Sequence, residues 1–426
     1  MTSSPPAELK LTSEEIALLE GAEGPGVQRA MEIVVTLGRI YGAPDLVPVT
    51  HVQIAGVSYK NLGEAGVAFL HAWAEEGARA RVPATLNPAG MEMDRWQAMG
   101  IDPAFARPQM EAIKAFIQMG VTPTMSCTPY LFPDYAPERG EHLAWAESSA
   151  VAWANSVMGA YTNREGGPSA LAAAIVGRTA RYGYHLDENR VATHVVEIRC
   201  PVRTIADFGA LSYMVGKRVG AGVPWFADLA DWLPPLPDDL TQGGDAGDRL
   251  KTLGAGLAAY GAVALYHIAG YTPEARDVGE RLICRDAQRI VIDSLDEGYG
   301  VMDADPEVTE IDLVTIGCPH ASLTELRHIA QRLQGEKLAT RLWVTTGRIT
   351  RDRAAREGLV EIIEEAGGEV VADTCAVVAP VRSLGVRTMA TNAGKMANYA
   401  PMHSGVKMRY GDIDRCLDAA ITGRWT

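Results

Sequence analysis

Three of the six cysteines, Cys127, Cys318 and Cys375, sit in the short segments MSCTPY, TIGCPH and ADTCAV, each of which reads as the end of a strand beside a turn or helix start. Three thiolates brought together would anchor an iron-sulfur cluster, and on a four-iron cube they leave one iron open to bind a hydroxyl as a Lewis acid. None of the three belongs to a C-x-x-C pair. Spacing alone therefore leaves two readings open, cluster ligands or small buried hydrophobes. Cys200, Cys284 and Cys416 lie in apolar strand-like or helix-like patterns and read as core residues.

Other polar residues could work beside such a centre. In AGVSYKN, Gly56, Val57 and Ser58 follow a strand, where successive backbone N–H groups and a serine hydroxyl can hold a carboxylate or phosphate; an ordinary strand-to-helix turn has the same pattern. LNPAG, with Asn87 and Pro88, carries the same ambiguity. AESSA supplies Glu147 and Ser148, and ATNAGK supplies Asn392 and Lys395, a lysine after a glycine turn that suits an anionic group but lacks the spacing of a P-loop. The charged triplet Asn163, Arg164 and Glu165 precedes two glycines and Pro168, which is ordinary helix punctuation; the triplet itself reads as a ligand contact or a solvated loop. His320 follows Cys318 closely, but no H-E-x-x-H or paired C-x-x-C completes a zinc site. G-x-S-x-G and G-x-G-x-x-G are absent from any convincing context, which removes hydrolase and dinucleotide readings.

The elements that must position these residues are clearest in the C-terminal third. IDLVTIG, RLWVTT and EVVADTC read as strands. Between the first two, Ser322 and Glu325 have capping-box spacing ahead of a helix with Leu326, Ile329, Ala330 and Leu333 on one face. Between the last two, Leu359, Ile362, Ile363 and Ala366 line a helix stopped by Gly367 and Gly368. This β-α-β-α-β alternation over residues 290–400 predicts an α/β fold with a parallel sheet, and ligands collect outside the carboxyl ends of such strands. Nearer the start, Thr12 and Glu15 cap a short helix after a loose leader, Ala30 to Tyr41 reads as a helix, and VPVTHVQIAG as a strand. Leu253 to Gly270 reads as a core helix rather than a membrane span, and the proline- and aspartate-rich stretch 232–249 as an exposed loop or domain connection.

A chain of 426 residues exceeds one usual core and predicts two or three domains. Its net charge of −14 argues against nucleic acid or an anionic membrane as partner, though a pocket can still be locally basic. Few cysteines and no basic-then-apolar leader point to a reducing cytoplasm.

Taken together and in order, IAGVSYKN, TLNPAGM, SCTPYL, EHLAWAESSAVAWANSVMGA, TNREGGPSALAAAIVG, YGYHLDENR, IGCPH, ADTC and ATNAGK resemble the large subunit of the aconitase X family over almost the whole of residues 1–426. The resemblance implies an aconitase-like fold of several α/β/α domains with parallel sheets around a cluster cleft, equivalent to the first three domains of aconitase. It implies a separate small subunit in place of the mobile fourth domain, and a small anionic hydroxy acid as substrate. The archaeal-type branch dehydrates (R)-5-phosphomevalonate to trans-anhydromevalonate 5-phosphate; a sister branch dehydrates cis-3-hydroxy-L-proline. A non-catalytic iron-sulfur regulatory protein is a third reading that the acidic charge disfavours.

By the same resemblance, Cys127, Cys318 and Cys375 are the ligands of a 4Fe-4S cluster with one open iron. Gly56, Val57, Ser58, Asn87, Pro88, Glu147, Ser148 and Lys395 become substrate contacts, with Lys395, Ser148 and Glu147 at the catalytic centre and the general base a serine of the small subunit. Tyr161 stands before TNREGG where the family pattern has arginine. If that arginine meets the substrate's phosphate, the substrate differs here.

Overall fold

The computed structural model describes residues 9–426. Residues 1–8, which hold most of the leader expected ahead of Thr12, lie outside them. The chain forms three successive α/β units.

In the first, α1 (Ser13–Leu19) opens on the expected capping box of Thr12 and Glu15, and α2 (Pro25–Tyr41) starts five residues before the apolar periodicity does, with Pro25 at its first position. The single strand expected from VPVTHVQIAG is two: β1 (Leu46–Pro48) and β2 (Val52–Ile54). The chain changes sheets between them, because Val49 N–H bonds Gly177 O and Thr50 N–H bonds His142 O. After α3 (Tyr59–Glu75), β3 (Ala84–Leu86), α4 (Pro103–Gln118) and β4 (Ala144–Trp145), the order β3-β2-β4 makes a small parallel sheet. The helices α5 (Ser148–Trp153) and α6 (Gly167–Val176) follow, and β5 (Arg178–Ala180) pairs antiparallel with β1.

The second unit is a parallel sheet of order β8-β7-β6-β9, from β6 (Ala192–Ile198), β7 (Pro224–Phe226), β8 (His267–Ile268) and β9 (Ile283–Ile292). Its helices are α7 (Ile205–Val219), α8 (Asp245–Gly261), α9 (Pro273–Val278) and α10 (Asp296–Met302). The core helix expected over Leu253–Gly270 ends at Gly261, where Ala262 turns left-handed, and the remainder runs into β8. Its glycines serve close packing: a Cβ on Gly256 would lie 1.7 Å from Ser212 Oγ, and one on Gly261 2.2 Å from Gly216 O, so α8 seats directly on α7. Among the described residues no helix is long and apolar enough to cross a membrane.

The third unit holds β10 (Leu313–Ala321), α11 (Leu323–Leu333), β11 (Arg341–Thr346), α12 (Arg348–Arg356), α13 (Leu359–Ala366), β12 (Glu369–Val371), β13 (Thr388–Thr391), α14 (Gly394–Ser404), β14 (Lys407–Tyr410) and α15 (Ile413–Thr422). The sheet is parallel, in the order β12-β11-β10-β13-β14, as the alternation predicts. Ser322 and Glu325 form their capping box, and Gly367 ends α13 in the left-handed conformation. The strand expected through EVVADTC stops at Val371, because Asp373 takes φ 65° and leaves the extended region.

Candidate active site

Two parallel sheets end on the same space. Ala55 and Gly56 follow β2, Asn87 and Pro88 follow β3, Glu147 follows β4, Gly317 to Pro319 lie on β10, Cys375 follows β12 and Lys395 opens the helix after β13; all of them line one cavity of about 280 Å³. Carboxyl ends of parallel strands carry side chains out of the sheet on loops, so two facing sheets can supply many groups to one point.

The three cysteines converge there, each set by a local backbone device. Cys127 lies on a loop carried along β3 by Ser126 N–H to Leu86 O at 2.9 Å and by Gln53 Nε2 to Ser126 O at 2.9 Å. Cys318 sits where the pairing of β10 with β11 loses register beyond Ile316, next to Gly317 at φ 105°. Gly317 is obligatory, since a Cβ would stand 2.1 Å from Thr345 O. Cys375 follows the left-handed Asp373, whose carboxylate is gripped by Arg348 and accepts from Met93 N–H at 3.2 Å. A further bond, His320 N–H to Cys127 Sγ at 3.2 Å, ties the first unit's thiol to the third unit.

Burial raises all three thiol pKa values, Cys127 to about 12, and neighbouring thiols raise those of Cys127 and Cys318 further. As a donor set they call for a strongly positive group, which would stabilise three adjacent thiolates that the protein alone disfavours. Among the described residues no three His, Cys, Asp or Glu side chains close around a single metal ion. A cluster is ligated at separate irons, one thiolate to each, and three cysteines lining one cavity suit it by donor type.

Beside the thiols lies an ion pair between Lys395 Nζ and Glu147 Oε1. Glu147 caps α5 and also accepts from Asn87 Nδ2 at 2.8 Å and Ser149 Oγ at 3.0 Å. Burial opposes its ionisation, but the Lys395 ammonium and these donors hold its pKa down to about 2. Burial likewise opposes the charge on Lys395, and Glu147 with the neighbouring thiols overrides it, leaving the pKa raised. Ser148 Oγ stands 3.5 Å from Lys395 Nζ, and Asn87 Oδ1 is buried without a protein partner among the described residues.

Six of the eight expected contacts therefore line the cavity: Gly56, Asn87, Pro88, Glu147, Ser148 and Lys395. Val57 and Ser58 do not. The Val57 side chain belongs to the first unit's core, and Ser58 Oγ caps α3 and donates to Val378 O at 3.1 Å, a tie between units. Asn61, Arg164, Tyr399 and His403 also line the cavity. Tyr399 and His403 follow Lys395 at i+4 and i+8 on α14, a helical spacing legible in the sequence once Lys395 is singled out. Tyr161 is not among the lining residues; its hydroxyl donates to Asp187 at 2.8 Å and its ring carries the Arg190 guanidinium at 4.3 Å. Cys200 and Cys416 lie in apolar cores and Cys284 on β9, away from the cavity.

Three family models match in sequence: the aconitase X first domain over residues 8–188, the second over 192–297 and the third over 311–422. The chain belongs to the aconitase X family. It is 45% identical to the phosphomevalonate dehydratase large subunit of Methanocaldococcus jannaschii, over 96% of this chain and 99% of that one. Identity to the cis-3-hydroxy-L-proline dehydratase of Hypocrea jecorina is 34%, over 97% of this chain and 69% of that enzyme. The crystal structure of Thermococcus kodakaraensis aconitase X in its holo-form superposes with a TM-score of 0.85 at 42% identity, covering 96% of this chain and all of that one. The 232–249 stretch falls inside the second domain match.

Proposed function

We propose that this chain is the large subunit of a two-subunit cytoplasmic hydro-lyase that converts (R)-5-phosphomevalonate to trans-anhydromevalonate 5-phosphate and water, a step of mevalonate-based isoprenoid synthesis. The observation that carries the reading is the meeting of Cys127, Cys318 and Cys375 in one cavity with the Lys395–Glu147 pair. The choice of substrate is supported by the names of the relatives that match at both full lengths, against 34% identity over part of the hydroxyproline enzyme.

In this reading Cys127, Cys318 and Cys375 hold an iron-sulfur cluster of the four-iron type. When bound, it supplies one iron without a protein ligand, a Lewis acid that makes hydroxide a better leaving group. The substrate loses hydroxide from C3 and a proton from C2, and a C2–C3 double bond forms. Lys395, fixed by Glu147, presents an ammonium where negative charge builds on the carboxylate as the C2 proton leaves. Ser148 orients the same end through its Oγ–H, Asn87 Oδ1 stands ready to accept from a substrate hydroxyl, and Gly56 and Pro88 shape the wall. The C2 proton goes to a group on the small subunit, so the two chains complete one site.

The test is an anaerobic assay of the chain, reconstituted with iron and sulfide, with and without its small partner, against both hydroxy acids. Turnover of phosphomevalonate only by the pair is the expected result. Replacing any one of the three cysteines by Ser should remove the visible absorbance of the cluster, while Cys416→Ser keeps it. Full turnover by the single chain, preference for hydroxyproline, or unchanged absorbance in all three Ser variants would each refute a named part of the proposal.

A further inference from the structure

The loop from Thr162 to Glu165 is tied down at almost every polar atom. Thr162 N–H donates to Asn155 Oδ1 at 3.0 Å, and Asn163 bonds Tyr182 O at 3.0 Å and Tyr184 N–H at 2.9 Å. Glu165 accepts from Ser169 Oγ at 2.6 Å and Thr179 Oγ1 at 2.9 Å, and its N–H reaches Trp145 O at 2.9 Å. Gly183 lets the next turn close on this loop, since a Cβ there would meet Asn163 Oδ1 at 2.3 Å. The backbone at Arg164 bridges to Trp145 beside β4.

Only Arg164 is left out of this network. Its side chain is exposed, lines the cavity, and makes no ion pair or hydrogen bond among the described residues. Buried arginines elsewhere are matched, Arg190 with Glu274 at 2.6 Å and Arg409 with Asp303 at 2.6 Å, whereas Arg164 is the arginine that lines the cavity and it has no such partner among the described residues. The cavity's other fixed charges, Lys395 and Glu147, cancel each other. Arg164 is therefore the one fixed cation lining the cavity that has no carboxylate partner among the described residues, on a chain of net charge −14. The loop fixes the backbone of Arg164, and its guanidinium, left without a carboxylate, is available to a planar or tetrahedral oxyanion that it can meet with two N–H groups. The exposed Asn61 and His403 also line the cavity and offer further donors.

We propose that Arg164, with Asn61 and His403, forms an anion subsite at the open side of the cavity that takes a phosphate monoester, the end of the substrate remote from the thiols. This rests on the dehydratase reading above and deepens it: the site selects a hydroxy acid with a second anionic group.

The experiment compares wild type, Arg164→Gln and Arg164→Lys in the reconstituted two-chain enzyme. Inorganic phosphate binding is measured by calorimetry and steady-state kinetics with phosphomevalonate, and mevalonate serves as an unphosphorylated competitor. The expected result for Arg164→Gln is a 10- to 100-fold weaker phosphate Kd and a similar rise in KM, about the effect of one charged hydrogen-bonding partner. The mevalonate inhibition constant should shift far less, and Arg164→Lys should fall between, keeping the charge without the fork. An unchanged phosphate Kd and KM would overturn the subsite, as would equal losses for phosphate and mevalonate. Absence of turnover in wild type with phosphate binding lost in Arg164→Gln would sink the dehydratase reading and leave the subsite standing.

Discussion

At the scale of single residues, the centre of the site is the Lys395–Glu147 pair. Breaking one partner of a buried pair leaves the other charge uncompensated, at a cost of about 3–5 kcal/mol. Lys395→Met should therefore destabilise the chain more than the double variant Lys395→Met/Glu147→Gln does, as read by denaturant unfolding. The pair also sets a pH dependence. Glu147 has a folded pKa near 2, below its usual 4.5, so its contribution is complete above about 4.5 and is lost as pH falls toward 2. The stability gap between wild type and Glu147→Gln should close over that window; a gap that stays constant would mean Glu147 is not ionised in the fold.

At the scale of elements, the thiols depend on backbone irregularities rather than on regular strands. Gly317 permits the break in β10 that presents Cys318, and a side chain there collides with Thr345 O. Gly317→Ala is expected to cost about 2 kcal/mol or more and to lower the iron bound per chain, with far-UV circular dichroism unchanged. Equal iron content in the variant would show that the break is not needed. The same irregularities explain what could be read in advance. Periodicity and capping boxes located β10, α11, β11 and α13, because amphipathic spacing survives in the sequence. They missed the sheet change at Val49–His51 and the early end of β12 at Asp373, which depend on partners far away in the chain. Asn87, Glu147 and Lys395 were legible through strand-end turns. Asn61 was legible only as a member of AGVSYKN, and Tyr399 and His403 only through their helical spacing from Lys395, since each looks like any polar residue on a helix turn until the opposing sheet is in place.

At the scale of the molecule, the units are joined by polar seams near the site. Lys251 of α8 is buried between Asp248, at 2.9 Å, and Glu325 of α11, and donates to His320 O at 3.2 Å. Ser322 Oγ completes the seam on Asp248 Oδ2 at 2.8 Å. Lys251→Met should lower stability by about 3–5 kcal/mol, because two carboxylates remain buried without a cation, and should split the unfolding transition by loosening the second unit from the third. A single transition at the wild-type midpoint would show the seam to be dispensable. The origins of the three thiols add a last consequence. Cys127 comes from the first unit, and Cys318 and Cys375 come from the third, the nearer of them nearly two hundred residues later. Any group bound by all three closes a loop of that length in the chain, so it acts as a cross-link as well as a reagent, restricting the unfolded ensemble as a long-range disulfide does. Oxidative loss of such a group would then cost the fold its clasp along with its chemistry.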